Sequence, residues 1–97
     1  MPTHDEERTF WQDWALLTRE QRIAFRKATK RLNRDLASGG SIRAGLRVKG
    51  VQGHPGVYEM TRADDGRATF VYGRPRRTGV AHITWRRVGT HDILLNP

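Results

Sequence analysis

The chain has 97 residues, with 18 Lys+Arg against 10 Asp+Glu for a net charge of +8, and no cysteine. That length makes one domain with a single modest core, and the missing thiols exclude disulfides and cysteine-ligated zinc while suiting a reducing, cytoplasmic setting. No apolar run approaches the roughly 20 residues of a membrane span, and the acidic start MPTHDEERTF lacks the apolar region of an export signal, so the charge excess points to a polyanion partner.

Thr3 and Glu6 stand at capping-box spacing, and Asp5, Glu6 and Glu7 suit the positive end of a helix dipole. A first helix is therefore predicted to start there, with Phe10, Trp14 and Leu17 as its apolar stripe. Thr18 and Gln21 repeat the capping box and open a longer helix over about 19–37. Phe25, Ala28, Leu32 and Leu36 lie on one side of it, and Ser38-Gly39-Gly40 stops it. The opposite side carries Arg22, Arg26, Lys30 and Arg34, each four residues apart, which places them along one face. That row reads either as a solvated surface or as a docking surface for RNA or an acidic partner. Ile23 lies off the apolar stripe and is expected against the first helix.

After Gly45 the hydrophobic period changes to two, and strands are predicted at 46–51, 57–62, 67–72 and 81–88. Asp64-Asp65-Gly66 is a hairpin signal between the second and third, and Gly53-His54-Pro55-Gly56 reads as a loop. A second loop over 73–79 holds Arg74, Arg76 and Arg77, suited to phosphate contacts that read no sequence. Alternation assigns Leu46, Val48, Tyr58, Met60, Ala68, Phe70, Tyr72, Ile83 and Trp85 to a core-facing side. Arg47, Lys49, Glu59, Thr61, Arg67, Thr69, His82, Thr84 and Arg86 fall on the other, with positive charge in excess. Arg87 has coreward parity. The fold class expected is α+β, an αα-hairpin (1–40) on one face of a four-stranded antiparallel sheet (46–88), followed by a C-terminal segment (89–97), all within a single domain 1–97.

Four scattered histidines give no metal-ligand spacing, and no glycine-rich phosphate loop or G-x-S-x-G nucleophile is present. Acid–base chemistry on a phosphodiester remains. RNA carries its own nucleophile, the 2′-hydroxyl, so an enzyme needs groups to move protons and to stabilise the phosphorane charge. His54, Glu59, His91, Lys49, Arg67 and Arg86 supply such groups. Trp11, Trp14 and Trp85 read as core, Tyr72 as buried packing, and His4 as an inert residue of a helix start.

VKGVQGHPGVYEM, RATFVY and the terminal WRRVGTHDILL together resemble the RelE/ParE toxin superfamily, the last through an Arg-x-Gly-Thr-His core similar to its YafQ- and HigB-like branch. The resemblance implies a type II toxin acting as a ribosome-dependent endoribonuclease on mRNA, silenced by a cognate acidic antitoxin, with no cofactor and no membrane. DNA would be met only through a toxin–antitoxin complex. By position His91 matches the catalytic histidine, working as general acid or base with His54 or Glu59 as its partner. Arg67, Arg86 and Arg87 would hold or stabilise the phosphate, and Arg47, Lys49, Arg74, Arg76, Arg77 and Arg87 would bind RNA. Glu59 and Thr61 replace lysines of the family pattern, Thr69 replaces a frequent arginine, and Leu95 replaces a terminal aromatic. A ParE-like gyrase inhibitor, or an RNA- or ribosome-binding member that no longer cuts, are the alternatives.

Overall fold

Ala68, Phe70, Ile83 and Trp85 alternate with polar residues along two strands, and hydrophobic burial turns that side toward the helices. The computed structural model describes residues 2–39, 41–61 and 65–97. One sheet contains β1 (Thr3–Glu6), β2 (Lys49–Gly50), β3 (Val57–Thr61), β4 (Gly66–Arg77) and β5 (Val80–Thr90) in the order β1-β5-β4-β3-β2. β1 runs parallel to β5, and the other neighbours are antiparallel. Helices α1 (Arg8–Leu16) and α2 (Arg19–Ala37) cover one face, and short 3-10 helices at Ala44–Leu46 and His91–Leu95 precede β2 and follow β5. The core joins Phe10, Phe25, Ala28 and Leu32 of the helices to Met60, Phe70, Ile83 and Trp85 of the sheet. Among the described residues no helix is long and apolar enough to cross a membrane.

The longer helix follows the sequence reading closely. Thr18 Oγ1 accepts from the Gln21 N–H at 3.1 Å while Gln21 Oε1 accepts from the Thr18 N–H at 2.8 Å, a complete capping box. Beyond the helix, Arg43 makes a forked pair with Asp35 at 2.9 Å and donates its backbone N–H to the same carboxylate. The side-chain hydrogen bond from Arg43 holds the Asp35 carboxyl at about 2. This pair fastens the segment leading to β2.

Several expectations are corrected. Thr3 and Glu6 do not cap a helix; they begin and end a fifth strand, so the sheet is mixed rather than four-stranded and antiparallel. The cause lies about eighty residues away in sequence. Thr3 Oγ1 lies 2.6 Å from His82 Nδ1 and Asp5 Oδ2 lies 3.0 Å from His82 Nε2, while Arg76 donates to Asp5 at 2.6 Å. Tertiary partners have overridden a local helix-start signal. The strand expected at 46–51 shrinks to Lys49–Gly50, because Leu46 is buried in a 3-10 turn that ends with Arg47 in left-handed backbone (φ 48°). The basic loop expected at 73–79 is mostly strand: β4 runs on to Arg77, and beyond Val71 it pairs with β5 alone as a two-stranded ribbon. Trp11 and Tyr72 are not buried; they are 52% and 45% exposed. Ile23 is 40% exposed beside Glu20, Lys27 and Arg31 and is not core. The hairpin signal at Asp64, the end of the strand expected to reach Arg62, and Gly40 lie outside the described residues.

α1 does not simply lie over the sheet. It continues the line of β1 along the outer edge of β5. The Glu7 N–H donates to Trp85 O at 2.9 Å, Thr9 Oγ1 donates to Arg86 O at 2.9 Å, and Asp13 Oδ2 accepts from the Val88 N–H at 3.1 Å. Thr9 and Asp13 are four apart and share one helix face. Asp13 also takes a fork from Arg87 at 2.6 and 3.1 Å, and that hydrogen bond raises the Arg87 guanidinium above its ordinary value. Asp13→Ala leaves the Val88 N–H and the Arg87 fork without this acceptor, and is expected to cost about 2 kcal/mol in urea unfolding. A loss within experimental error would show that water replaces the carboxylate.

Candidate functional site

Sheet register assembles the polar face. Lys49 pairs with Glu59, Glu59 with Thr69, and Thr69 with Arg87, so four strands contribute one row across the side away from the helices. The neighbouring row is Thr61, Arg67 and Gly89. Arg87 joins the row because of a register shift between Thr69 and Phe70: Phe70 pairs with Trp85 while Thr69 pairs with Arg87, leaving Arg86 as the extra residue of a bulge. Its coreward parity in a regular strand is thereby reversed. The same bulge lets both Trp85 and Val88 face the core, at 4% and 1% exposure.

This outer face is not an open, wet surface as alternation suggested. Glu59, Thr69 and His82 are buried, and Val57 and Val71 interrupt the polar residues. Two separate polar clusters result. One is Thr3, Asp5, His82 and Arg76 at the ribbon end. The other is Lys49, Glu59 and Arg67 at the opposite end, where Arg67 Nε comes within 3.9 Å of Glu59 Oε1 and its NH1 donates to Gly66 O at 3.0 Å.

The C-terminal 3-10 helix supplies the roof of the second cluster. It returns over the outer face at Gly89, where a Cβ would stand only 2.8 Å from Ile93 Cγ2. The glycine of the Arg-x-Gly-Thr-His stretch is thus the seat of buried Ile93. Leu94 then forms one wall of an open cleft of about 450 Å³, together with Lys49, Gly50, Val51, Gln52 and Glu59. In a 3-10 helix side chains three apart eclipse one another. By that spacing His91, the exposed first residue of the helix, stands one turn from Leu94, though it is not itself a wall of the cleft.

The residues expected to act together are only partly brought together. Lys49 and Glu59 line the cleft, Arg67 approaches Glu59 at 3.9 Å, and His91 opens the 3-10 helix whose Leu94 walls it. His54 is not one of the cleft's walls, although Val51 and Gln52, which are, lead into its turn, where the His54 N–H donates to Val51 O at 3.1 Å. Arg86 leaves the row through the bulge and donates to Pro97 O at 3.2 and 3.3 Å, with Glu7 3.3 Å away. Arg87 reaches the row only with its backbone, since its side chain is held by Asp13 and Asn96 O. Arg74, Arg76 and Arg77 sit exposed on the ribbon, Arg76 paired with Asp5, and Arg47 is exposed before β2. Gly50, Val51, Gln52 and Leu94 are cleft walls that alternation could not find, because a two-residue strand and a 3-10 helix carry no extended period. Asp13 was likewise missed, although its spacing from Thr9 was available.

Two substitutions probe this construction. Among the described residues the buried Thr69 Oγ1 has no hydrogen-bond partner, and Thr69→Val is expected to raise stability by about 1 kcal/mol by removing an uncompensated hydroxyl. A drop in the urea midpoint would mean the hydroxyl is satisfied in solution. Gly89→Ala should lift Ile93 and expose the backbone of 91–95, read as faster amide exchange confined to that segment. Unchanged exchange there would show that Ile93 gives way locally.

No family model and no curated protein matches the chain. Solved structures do. YafQ from Escherichia coli strain BL21(DE3) superposes with a TM-score of 0.63 at 16% identity, covering 99% of this chain and all of that one. A toxin from Helicobacter pylori superposes with a TM-score of 0.65 at 10% identity, over 95% and 97% of the two chains. The RelB–RelE antitoxin–toxin complex from Methanococcus jannaschii contributes a match with a TM-score of 0.58 at 15% identity, over 95% of each chain. At such identities what is shared is the arrangement of elements along the whole length. What this chain shares with YafQ, the Helicobacter pylori toxin and the RelB–RelE complex is their fold.

Proposed function

We propose that this chain is a type II toxin that acts as a ribosome-dependent endoribonuclease, cutting mRNA through attack of the RNA's own 2′-hydroxyl, and that a cognate acidic antitoxin silences it. The observation that carries this reading is the cleft between β2 and the C-terminal 3-10 helix, walled by Lys49, Glu59 and Leu94, with Arg67 3.9 Å from Glu59 and His91 opening the same 3-10 helix. Lys49 is exposed and can neutralise a phosphate oxygen, while the Glu59 carboxylate, nine-tenths buried beside Arg67, is placed to accept or relay a proton. His91 is exposed and free to approach a bound strand from the roof, as general acid or base. The superposed structures lend the reading its biological frame, since their names describe toxin–antitoxin pairs. Arg47 near the cleft, and Arg74 and Arg77 on the ribbon, would meet the RNA backbone without reading its sequence.

One observation favours a second reading. Arg86 and Arg87, expected on the transition-state charge, are engaged with Pro97, Glu7, Asp13 and Asn96. That arrangement suits an RNA- or ribosome-binding member that no longer cuts. Mapping mRNA 5′ ends after induced expression separates the two. Ribosome-phased cuts are expected with the native chain, and His91→Ala should reduce them a hundredfold or more, about the contribution of a general acid or base, with the unfolding midpoint unchanged. RNA binding with no cuts, falling with salt at a slope of about −0.7 per phosphate contacted, would establish the second reading instead.

A further inference from the structure

On the helical side of the sheet, α1, α2 and β1 enclose a cavity of about 250 Å³ whose apolar walls are Phe10, Trp11, Trp14, Phe25 and Trp85. Phe10, Phe25 and Trp85 are nearly fully buried, whereas Trp11 is 52% exposed and leaves one side open. The rings mostly meet edge to face: Trp11 stands at 84° to Phe10 and 79° to Trp14, and Phe25 at 75° to Trp85. Such walls enclose a hole rather than offering the exposed parallel ring faces on which successive bases stack. The fitting occupant is one compact apolar side chain.

Charge at the mouth specifies what that side chain belongs to. Arg26, Thr29 and Asn33 of α2 line the cavity, helical spacing places Lys30 and Arg34 immediately beside them, and the lining carboxylate, Glu6 of β1, is paired with His4. α2 carries seven Lys and Arg against two acids, Glu20 and Asp35. Asp35 is already committed to Arg43. Arg22, the first of the cationic row, is not available either: it donates to Trp14 O at 3.0 and 3.2 Å and lies over the Trp14 ring. Arg26 also lies 5.4 Å over the Trp14 ring but keeps its guanidinium at the cavity wall without a backbone acceptor there among the described residues, and Arg26, Lys30 and Arg34 are all exposed.

We infer that this cavity is the seat of an acidic protein segment, which inserts one large apolar side chain among the rings while its carboxylates meet Arg26, Lys30 and Arg34. A buried apolar anchor within a charged, complementary rim is the arrangement that concentrates binding energy at protein interfaces. The inference rests on the proposed function in taking that segment from the antitoxin. It assigns silencing to the helical side, across the sheet from the cleft.

The probe is the acidic partner that the proposed function requires, purified as a complex with this chain and titrated back onto Trp11→Ala and Lys30→Glu variants. Trp11 is half exposed and Lys30 is exposed, and the second variant keeps the test open if the first folds poorly. Trp11→Ala should weaken binding about 30-fold at low and high salt alike, the size of an anchor truncation. Lys30→Glu should weaken it about tenfold at 0.1 M salt and much less at 0.5 M, where charge is screened. Both variants should still arrest growth and should escape the partner. If both arrest growth and are silenced as tightly as the native chain, the inference is wrong while the proposed function stands. If they lose RNA binding instead of partner binding, the surface belongs to RNA and the inference is again overturned. A native chain that neither arrests growth nor forms the complex would overturn the proposed function and this inference with it.

Discussion

The outer edge of β5 sets the terms for everything around it. Backbone donors and acceptors that leave water must find partners, and this edge finds them in two kinds of element. β1 serves it from His82 to Trp85, and then α1 takes over through the Glu7 N–H, the Thr9 hydroxyl and the Asp13 carboxylate. An edge strand is thereby covered rather than left open to pair with another chain. It also decides where α1 must lie, which in turn sets Phe10 and Trp14 against Phe25 and brings Phe25 onto Trp85.

On the other side of the sheet the same strand builds the cleft through two irregularities. The bulge at Arg86 restores Val88 to the core and aligns Arg87 with Thr69. Three residues later Gly89 admits Ile93, so the chain can fold back over the sheet and present Leu94 to the cleft. Arginines near these irregularities serve architecture: Arg86 closes on Pro97 and Arg87 on Asp13 and Asn96. Lys49 and Arg67, set on regular pairs, keep their place beside Glu59.

What could be read from sequence follows from the range of the forces involved. α2 was legible to its ends, because its capping box and apolar stripe are local. The core sides of β3, β4 and the first half of β5 were legible too, since a period of two survives wherever pairing is regular. β1 was not: Thr3, Asp5 and Glu6 have the composition of a helix start, and only His82 and Arg76, distant in sequence, make them a strand. Parity misplaced Arg87 because nothing in TWRRVG announces which residue is extra. Of the site, the Lys49–Glu59–Arg67 grouping came from alternation, whereas the walls Val51, Gln52 and Leu94 lie outside any regular period.

The small hollow at Gly73 reaches further than its size suggests. The His82 ring occupies the place a methyl group would take there, with Cδ2 2.7 Å from that position. The ring in turn holds Thr3 and Asp5, one side of β1, while His4 and Glu6 on the other side form part of the aromatic chamber between the helices. A strand of four residues cannot slide on one surface and stay still on the other. The hollow at the root of the arginine-bearing ribbon and the chamber on the far face are thus joined by the two sides of one short strand.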